Sequence, residues 1–401
     1  MKKVANKKEK PAEKKVEMTA KTISKIELKT KKEINIIKKS NVGADIANYY
    51  GFIEKETPEI VRDDITASKS LVEGDYIDPE IDGKSHRLPL HVEEKVALIR
   101  AYNKSEWDKA PQPVMLYLKD GFKNPFSKNH DNSGKFCDLE IMGSDKSISE
   151  ALLIHTASVM LNEAGYNNLG VEINSMGDKE SLHSFYKDLV AHYRKHINDM
   201  DDDCRQMFKK DPFELLSHKC SAIKDINCSA PRSMDYLSEK SRNHFREVLE
   251  YLENIKIPYK INDHLVGNRK YCTETIYEIV NYDSKWKKEK TLAIGVRYDG
   301  LNKKLGYKRD ISCAGISVLL KKNEQDALRK DTKRNIRPLA SFVQLGFEAK
   351  LISLNILEDL RKAKILVYQT LSRDKLMSQI SLAEKSRIPF TIIIGKKEAV
   401  E

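Results

Sequence analysis

The sequence predicts an α+β core of antiparallel sheet flanked by helices, followed by a small α/β unit. Three observations predict it. Segments 113–118 and 136–142 are apolar, strand-like runs on either side of a polar stretch at 124–135, the pattern of two antiparallel strands joined by a long hairpin. Residues 178–255 carry apolar positions at three- and four-residue spacing and are expected to be mostly helical. From 341 onward a strand (341–345), a helix (to 363), a strand (365–369), a helix (to about 386) and a strand (390–394) alternate, which makes a parallel sheet.

Charge and composition divide the 401 residues further. Residues 1–40 hold 14 Lys and 5 Glu, a net +9, and the remaining 361 residues carry only +2 of the total +11. The expected organisation is a lysine-rich disordered tail (1–40), a core (41–325) with a helical insertion at about 178–255, a polar basic linker (326–340) and the α/β domain (341–401). Nucleic-acid binding inferred from the overall charge therefore rests mostly on the tail. Two readings of that tail stay open, a solvated segment and a phosphate-seeking arm with salt-sensitive contacts. The six cysteines (137, 204, 220, 228, 272, 313) contain no C-x-x-C pair, and the spacing of His218, Cys220 and Cys228 fits no standard zinc site, so no metal is expected. No apolar run has the length of a membrane span and no signal-peptide pattern is present, so a soluble cytoplasmic protein is expected.

Taken in order, 44–50 reads as the end of a helix with Gly51 as its stop, and 52–56 as a strand running into Thr57-Pro58. Val96, Leu98, Ile99 and Tyr102 fit one helix face. Ser147 and Glu150 form the pattern of a capping box opening a helix that runs to Ala164 and stops at Gly165. Residues 171–177 read as a strand and turn. Two further stretches, 264–278 (HLVGNRKYCTETIYE) and 292–306 (LAIGVRYDGLNKKLG), each read as a turn followed by a strand or helix. Together they are expected to line the floor of a pocket.

These two stretches resemble the signature segments of histidyl-tRNA synthetases, which run roughly L-V-R-G-L-D-Y-Y-T-x-T-V-F-E and A-G-G-R-Y-D-G-L. The resemblance extends in order over about residues 44–401. Residues 50–58 resemble motif 1 of class II aminoacyl-tRNA synthetases, 113–142 motif 2 and 310–322 motif 3, while 88–102 is similar to the family's L-T-L-R-P-E-G-T-A-P-V-V-R-A-Y without gaps. The resemblance implies a class II synthetase-like core and an anticodon-binding-like C-terminal domain that is shortened relative to the family. It implies ATP-dependent activation of histidine and its transfer to tRNA-His, with Mg2+ beside ATP, and a homodimer formed through the motif 1 segment. It implies no membrane partner. For a histidine-like ligand it points to Glu93, Glu140, Tyr271, Arg297 and Tyr298. For catalysis it points to Lys123 and, two positions late in its segment, Arg269; for ATP, to Lys123 and Lys322.

Departures from the family pattern coincide with its chemistry. Four arginine positions that the family uses around ATP and histidine hold His91, Lys123, Gly267 and Lys322. Lys95 stands where the family has a threonine close to the ligand's amino group, Phe136 replaces a glutamine, Cys272 a tyrosine and Val296 a glycine. Lysine keeps a charge but lacks the planar fork that binds an oxyanion bidentately or stacks on a base. Two readings follow: a histidine–tRNA ligase with impaired ordinary catalysis, or a non-catalytic paralogue that binds tRNA or acts as a regulatory protein. The regulatory subunit of ATP phosphoribosyltransferase reuses this scaffold but lacks the C-terminal domain expected here.

Overall fold

The structure is a computed structural model. It describes residues 42–71, 91–105, 107–122, 136–218, 221–283, 285, 287–320 and 338–399; the expectations for the tail, the 124–135 hairpin and most of the linker lie outside these residues.

An eight-stranded sheet dominates. In chain order the first elements are α1 (Val42–Tyr49), β1 (Ile53–Lys55), α2 (Arg62–Lys69), α3 (Val92–Lys104), β2 (Val114–Leu118), β3 (Phe136–Met142), α4 (Ile148–Glu163) and β4 (Leu169–Gly177). The helical segment follows with α5 (Lys179–Lys195), α6 (Asp202–Lys210), α7 (Pro212–Ser217), α8 (Ser221–Cys228) and α9 (Glu239–Asn254). Then come β5 (Tyr259–Ile261), β6 (Thr273–Tyr282), β7 (Lys288–Arg297), the short α10 (Leu301–Lys304) and β8 (Cys313–Leu319). The strand order is β1-β2-β3-β8-β7-β6-β4-β5; only the two outermost pairings, β1 with β2 and β5 with β4, are parallel.

A second sheet of three parallel strands follows: β9 (Ala340–Gln344), α11 (Phe347–Lys362), β10 (Val367–Gln369), α12 (Leu376–Lys385) and β11 (Phe390–Ile394), in the order β10-β9-β11. The alternation read from sequence is this unit, as a strand–helix–strand crossover demands a parallel sheet.

Side-chain alternation separates the two faces of the large sheet. On β3, Cys137, Leu139 and Ile141 join one buried cluster, which also takes Ala314, Ile316 and Val318 of β8 and the apolar residues of α4. Met142 of β3 and Cys313 of β8 join a different cluster, with Val92, Val96, Leu98 and Ile99 of α3. So α4 covers one face and α3 the other. Helix α4 is buried from Ile148 to Leu161, because it is enclosed by the sheet on one side and by α1, α9 and the C-terminal unit around the rest. A third cluster holds the helical segment together and includes Phe185, Phe213, Leu265 and Val266.

Helix ends within 178–254 are capped by side chains. Asp178, Asp201, Asp211 and Ser238 each accept a hydrogen bond from a backbone N–H of the first turn, and Pro212 sits at the start of α7. The expected capping box at Ser147 is not formed. Ser147 Oγ donates to Glu247 instead, and Glu150 is drawn away by a stronger partner, Arg297.

The apolar cluster under α4 runs without a break into the C-terminal unit, through Phe342, Leu354, Leu357, Val367 and Ile394. Polar contacts reinforce the join. Tyr49 Oη donates to the carbonyls of Leu357 (2.9 Å) and Ile365 (3.1 Å), and the Asn355 amide donates to Asn254. Leu357 is fully buried at this junction. Leu357→Ala is expected to cost about 2–5 kcal/mol by leaving a cavity between the two sheets, measured as a lowered midpoint in chemical denaturation.

Candidate active site

The face of the large sheet covered by α3 carries the polar groups. On β3, Asp138 and Glu140 alternate with Cys137, Leu139 and Ile141, so the two carboxylates turn towards α3. Both are buried, and Glu140 has no exposed surface. Opposite Glu140 in the ladder lies Gly315 of β8. A Cβ there would fall 2.0 Å from Glu140 Oε2, so only glycine lets the carboxylate lie across the strand.

From the first turn of α3, Lys95 reaches this carboxylate and forms a hydrogen-bonded ion pair with Glu140 Oε1. The lysine is itself buried (2% exposed), so the ammonium is shut inside the protein. Tyr298 Oη donates to the other oxygen, Oε2, at 2.7 Å, and its ring centroid lies 5.5 Å from the Lys95 ammonium. Ser317 Oγ donates to Asp138 Oδ1. Burial acts to lower the Lys95 pKa, but Glu140 and Asp138 outweigh it and hold the pKa above its ordinary value, so the side chain stays charged. Glu94, the preceding residue on α3, is pushed well up, by burial first and by the charge of Asp138 second.

The other site residues expected from sequence divide between the two faces of the sheet or lie outside the described residues. Glu93 lies at the start of α3, 3.8 Å from His91 Nδ1. Tyr271 is buried in the cluster under α3. Lys123 and Lys322 lie outside the described residues. Val296 and Tyr298 belong to the α3 side, and Arg297 between them turns to α4. There its Nε and Nη2 donate to the two oxygens of Glu150 at 2.7 and 2.6 Å. Nη1 donates to the Ser144 carbonyl and Nη2 to that of Lys146. This guanidinium is fully committed to the chain's own groups.

Arg269 corrects one expectation. A two-residue displacement keeps the same face only in a strand, and residues 264–272 form an irregular turn ahead of β6. The Arg269 guanidinium stacks on Tyr186 of α5 at 4.4 Å from the ring centroid, and its Nε lies 4.0 Å from Asp211. It borders a cavity of about 480 Å³ with Lys179, Leu182 and His183, whereas the Glu140 cluster is built by α3, β3, β8 and Tyr298. Gly267 packs on Cys272; a Cβ would come within 2.7 Å of its Sγ. The glycine and the cysteine, two separate departures in sequence, are one packing arrangement in space.

Sequence reasoning missed Asp138 and the pairing of Lys95. A signal for Asp138 was present: an acidic residue two positions before Glu140 in a run of otherwise apolar strand residues shares its face. Nothing local showed that a lysine 45 residues away would reach Glu140.

No protein-family model matches the chain. Among curated proteins, it is 31% identical over 264 residues to the histidine–tRNA ligase of Fervidobacterium nodosum, a match spanning 65% of this chain and 61% of that protein. It is 27% identical over 370 residues to the histidine–tRNA ligase of Bacillus subtilis, spanning 89% of this chain and 86% of that one. The solved apo structure of S. aureus histidyl-tRNA synthetase shares the fold, with a TM-score of 0.51 at 23% identity over 88% of this chain and 85% of that chain. The large, mostly antiparallel sheet flanked by helices is accordingly a class II synthetase-like core.

The Arg297–Glu150 pair extends to His244, whose Nε2 lies 2.7 Å from Glu150 Oε1. Burial acts to raise the Glu150 pKa, but Arg297 and then His244 outweigh it and bring the value down to about 2. Burial acts to lower that of His244, but Glu150 outweighs it and the pKa rises above 6.5. A raised histidine stabilises the fold fully below its unfolded pKa, and this contribution fades as pH rises through the folded value. His244→Gln is therefore expected to lose stability relative to the natural chain at about pH 5.5 and to lose markedly less at about pH 9. Paired denaturation curves at the two pH values check it.

Proposed function

This chain belongs to the histidyl-tRNA synthetase family, and we propose that within it the chain has kept the scaffold while losing the ordinary activation of histidine. The observation that carries this reading is the Lys95 ammonium held on Glu140. By the family resemblance, Glu140 is a carboxylate that contacts histidine, Glu93 binds the ligand's amino group and position 95 lies close to that group. A substrate ammonium arriving there meets a like charge already paired with the carboxylate.

The groups for ATP support the same reading. Adenylate formation needs preorganised positive groups around a dispersed phosphate charge, and removal of one such donor costs on the order of a hundred- to thousand-fold in rate. Gly267 supplies no side chain, Arg297 is committed to Glu150, and Arg269 is stacked on Tyr186. Among the described residues, no group of three or more acidic, histidine or cysteine side chains is placed to hold a metal ion.

What remains is a non-catalytic, cytoplasmic family member that binds tRNA, with tRNA-His the first candidate by resemblance. The Val42–Tyr49 helix and the β1 edge, where Ile53 is 57% exposed, are the proposed contact with a second copy. Among the described residues no helix is long and apolar enough to cross a membrane.

Histidine-dependent ATP–pyrophosphate exchange tests the reading directly. No exchange above background is expected from the purified full chain, together with salt-sensitive tRNA binding in a filter assay. Clear exchange overturns the loss of activation, and absence of tRNA binding overturns the retained role. Reinstating the family arginine by Gly267→Arg is expected to leave exchange undetectable, because the new side chain meets Cys272; recovery of exchange would show that position 267 alone had disabled the site.

A further inference from the structure

We infer that Glu140 heads a preformed site for a primary ammonium group, and that the chain fills this site with its own Lys95. The inference rests on the reading above for placing the amino-acid pocket at Glu140, and concerns what the pocket can hold.

The site is built apart from the lysine that fills it. Glu140 is fixed across Gly315 by the strand pairing, which leaves no room for a side chain at that position. Its Oε2 is held by Tyr298 Oη, and Asp138 beside it is held by Ser317. These supports come from β3, β8 and the residue after β7, and Lys95 comes from α3. The groups facing the ammonium are Glu140 and Asp138 from β3, Glu94 from its own helix and the Tyr298 ring, with His91 acting on Asp138 from the start of α3. Three carboxyl groups face the single cation. An ammonium is a compact charge with three N–H donors, and it suits a pocket of carboxylate oxygens beside an aromatic face. The occupied state is the evidence for the ligand class, since the chain's own primary amine is bound there in a dry environment.

Truncation of Lys95 to alanine removes three methylenes and the ammonium, which together have the shape of propylammonium. Lys95→Ala leaves Glu140 buried without its cation and is expected to lower the melting temperature. Propylammonium chloride is then expected to raise the melting temperature of Lys95→Ala by several degrees in a concentration-dependent manner, as for any ligand that binds only the folded state. Tetramethylammonium, which has no N–H donor, is expected to give no such rise. Neither salt is expected to stabilise the natural chain, nor the Lys95→Ala/Glu140→Gln double variant, in which the anionic partner is gone. Equal effects of the two salts, or no effect of propylammonium on Lys95→Ala, overturn the inference. Should Lys95→Ala fail to fold on its own, the readout becomes its refolding yield from denaturant. A yield restored selectively by propylammonium supports the site, and an unchanged yield overturns it. Exchange activity in the natural chain would overturn the loss of histidine activation without touching these results, and failure of amine rescue would leave the exchange result standing.

Discussion

A guanidinium with no exposed surface fixes how the layers of this protein meet. Arg297, the last residue of β7, is held bidentately by Glu150; two carbonyls between β3 and α4 and the Asp299 carboxylate take its remaining donors. Desolvating such a pair costs several kcal/mol per ion, offset only when nearly every donor and acceptor is matched. The matching requires the end of β7, the turn at 144–146 and the first turn of α4 to lie in one geometry. Helix α4 is thereby seated on the sheet, and its opposite side receives α1, α9 and the C-terminal unit. The same pair explains why Glu150 is unavailable as a capping group and why Arg297 is unavailable to a ligand.

The opposite face of the sheet holds a second buried cation, with different consequences. Lys95 also has a carboxylate partner, but that partner sits where the family resemblance places a ligand contact. Its pairing joins no two layers that apolar packing does not already join, since α3 is anchored by Val92, Val96, Leu98 and Ile99. One pair is part of the frame; the other is buried beneath α3 on the opposite face of the sheet. The departures at 267 and 272 go together, because Gly267 lies against Cys272 with no room for a side chain between them.

Much of the fold was legible because its signals are local. Gly51 and Gly165 stop their helices at positive φ, the strands at 114–118 and 136–142 are short apolar runs on either side of a polar stretch, and the α/β rhythm after 340 follows from element length alone. The capping box at Ser147 was misread for an equally physical reason. The motif describes a helix start in isolation, and a buried arginine from a distant strand is a stronger partner for Glu150 than a backbone N–H. Arg269 was misplaced because a two-residue period was applied to a turn.

The sequence by itself determined the order of elements, the family framework and the identities of the replaced residues, since each is carried by neighbours in the chain. Which charges meet was decided only by the tertiary structure. Lys95 and Glu140 are 45 residues apart, Arg297 and Glu150 147 apart, and Gly267 and Cys272 acquire a shared meaning only once the turn brings them into contact. Burial and pairing are properties of the assembled layers, and no local pattern encodes whether a given lysine ends in solvent or on a buried carboxylate.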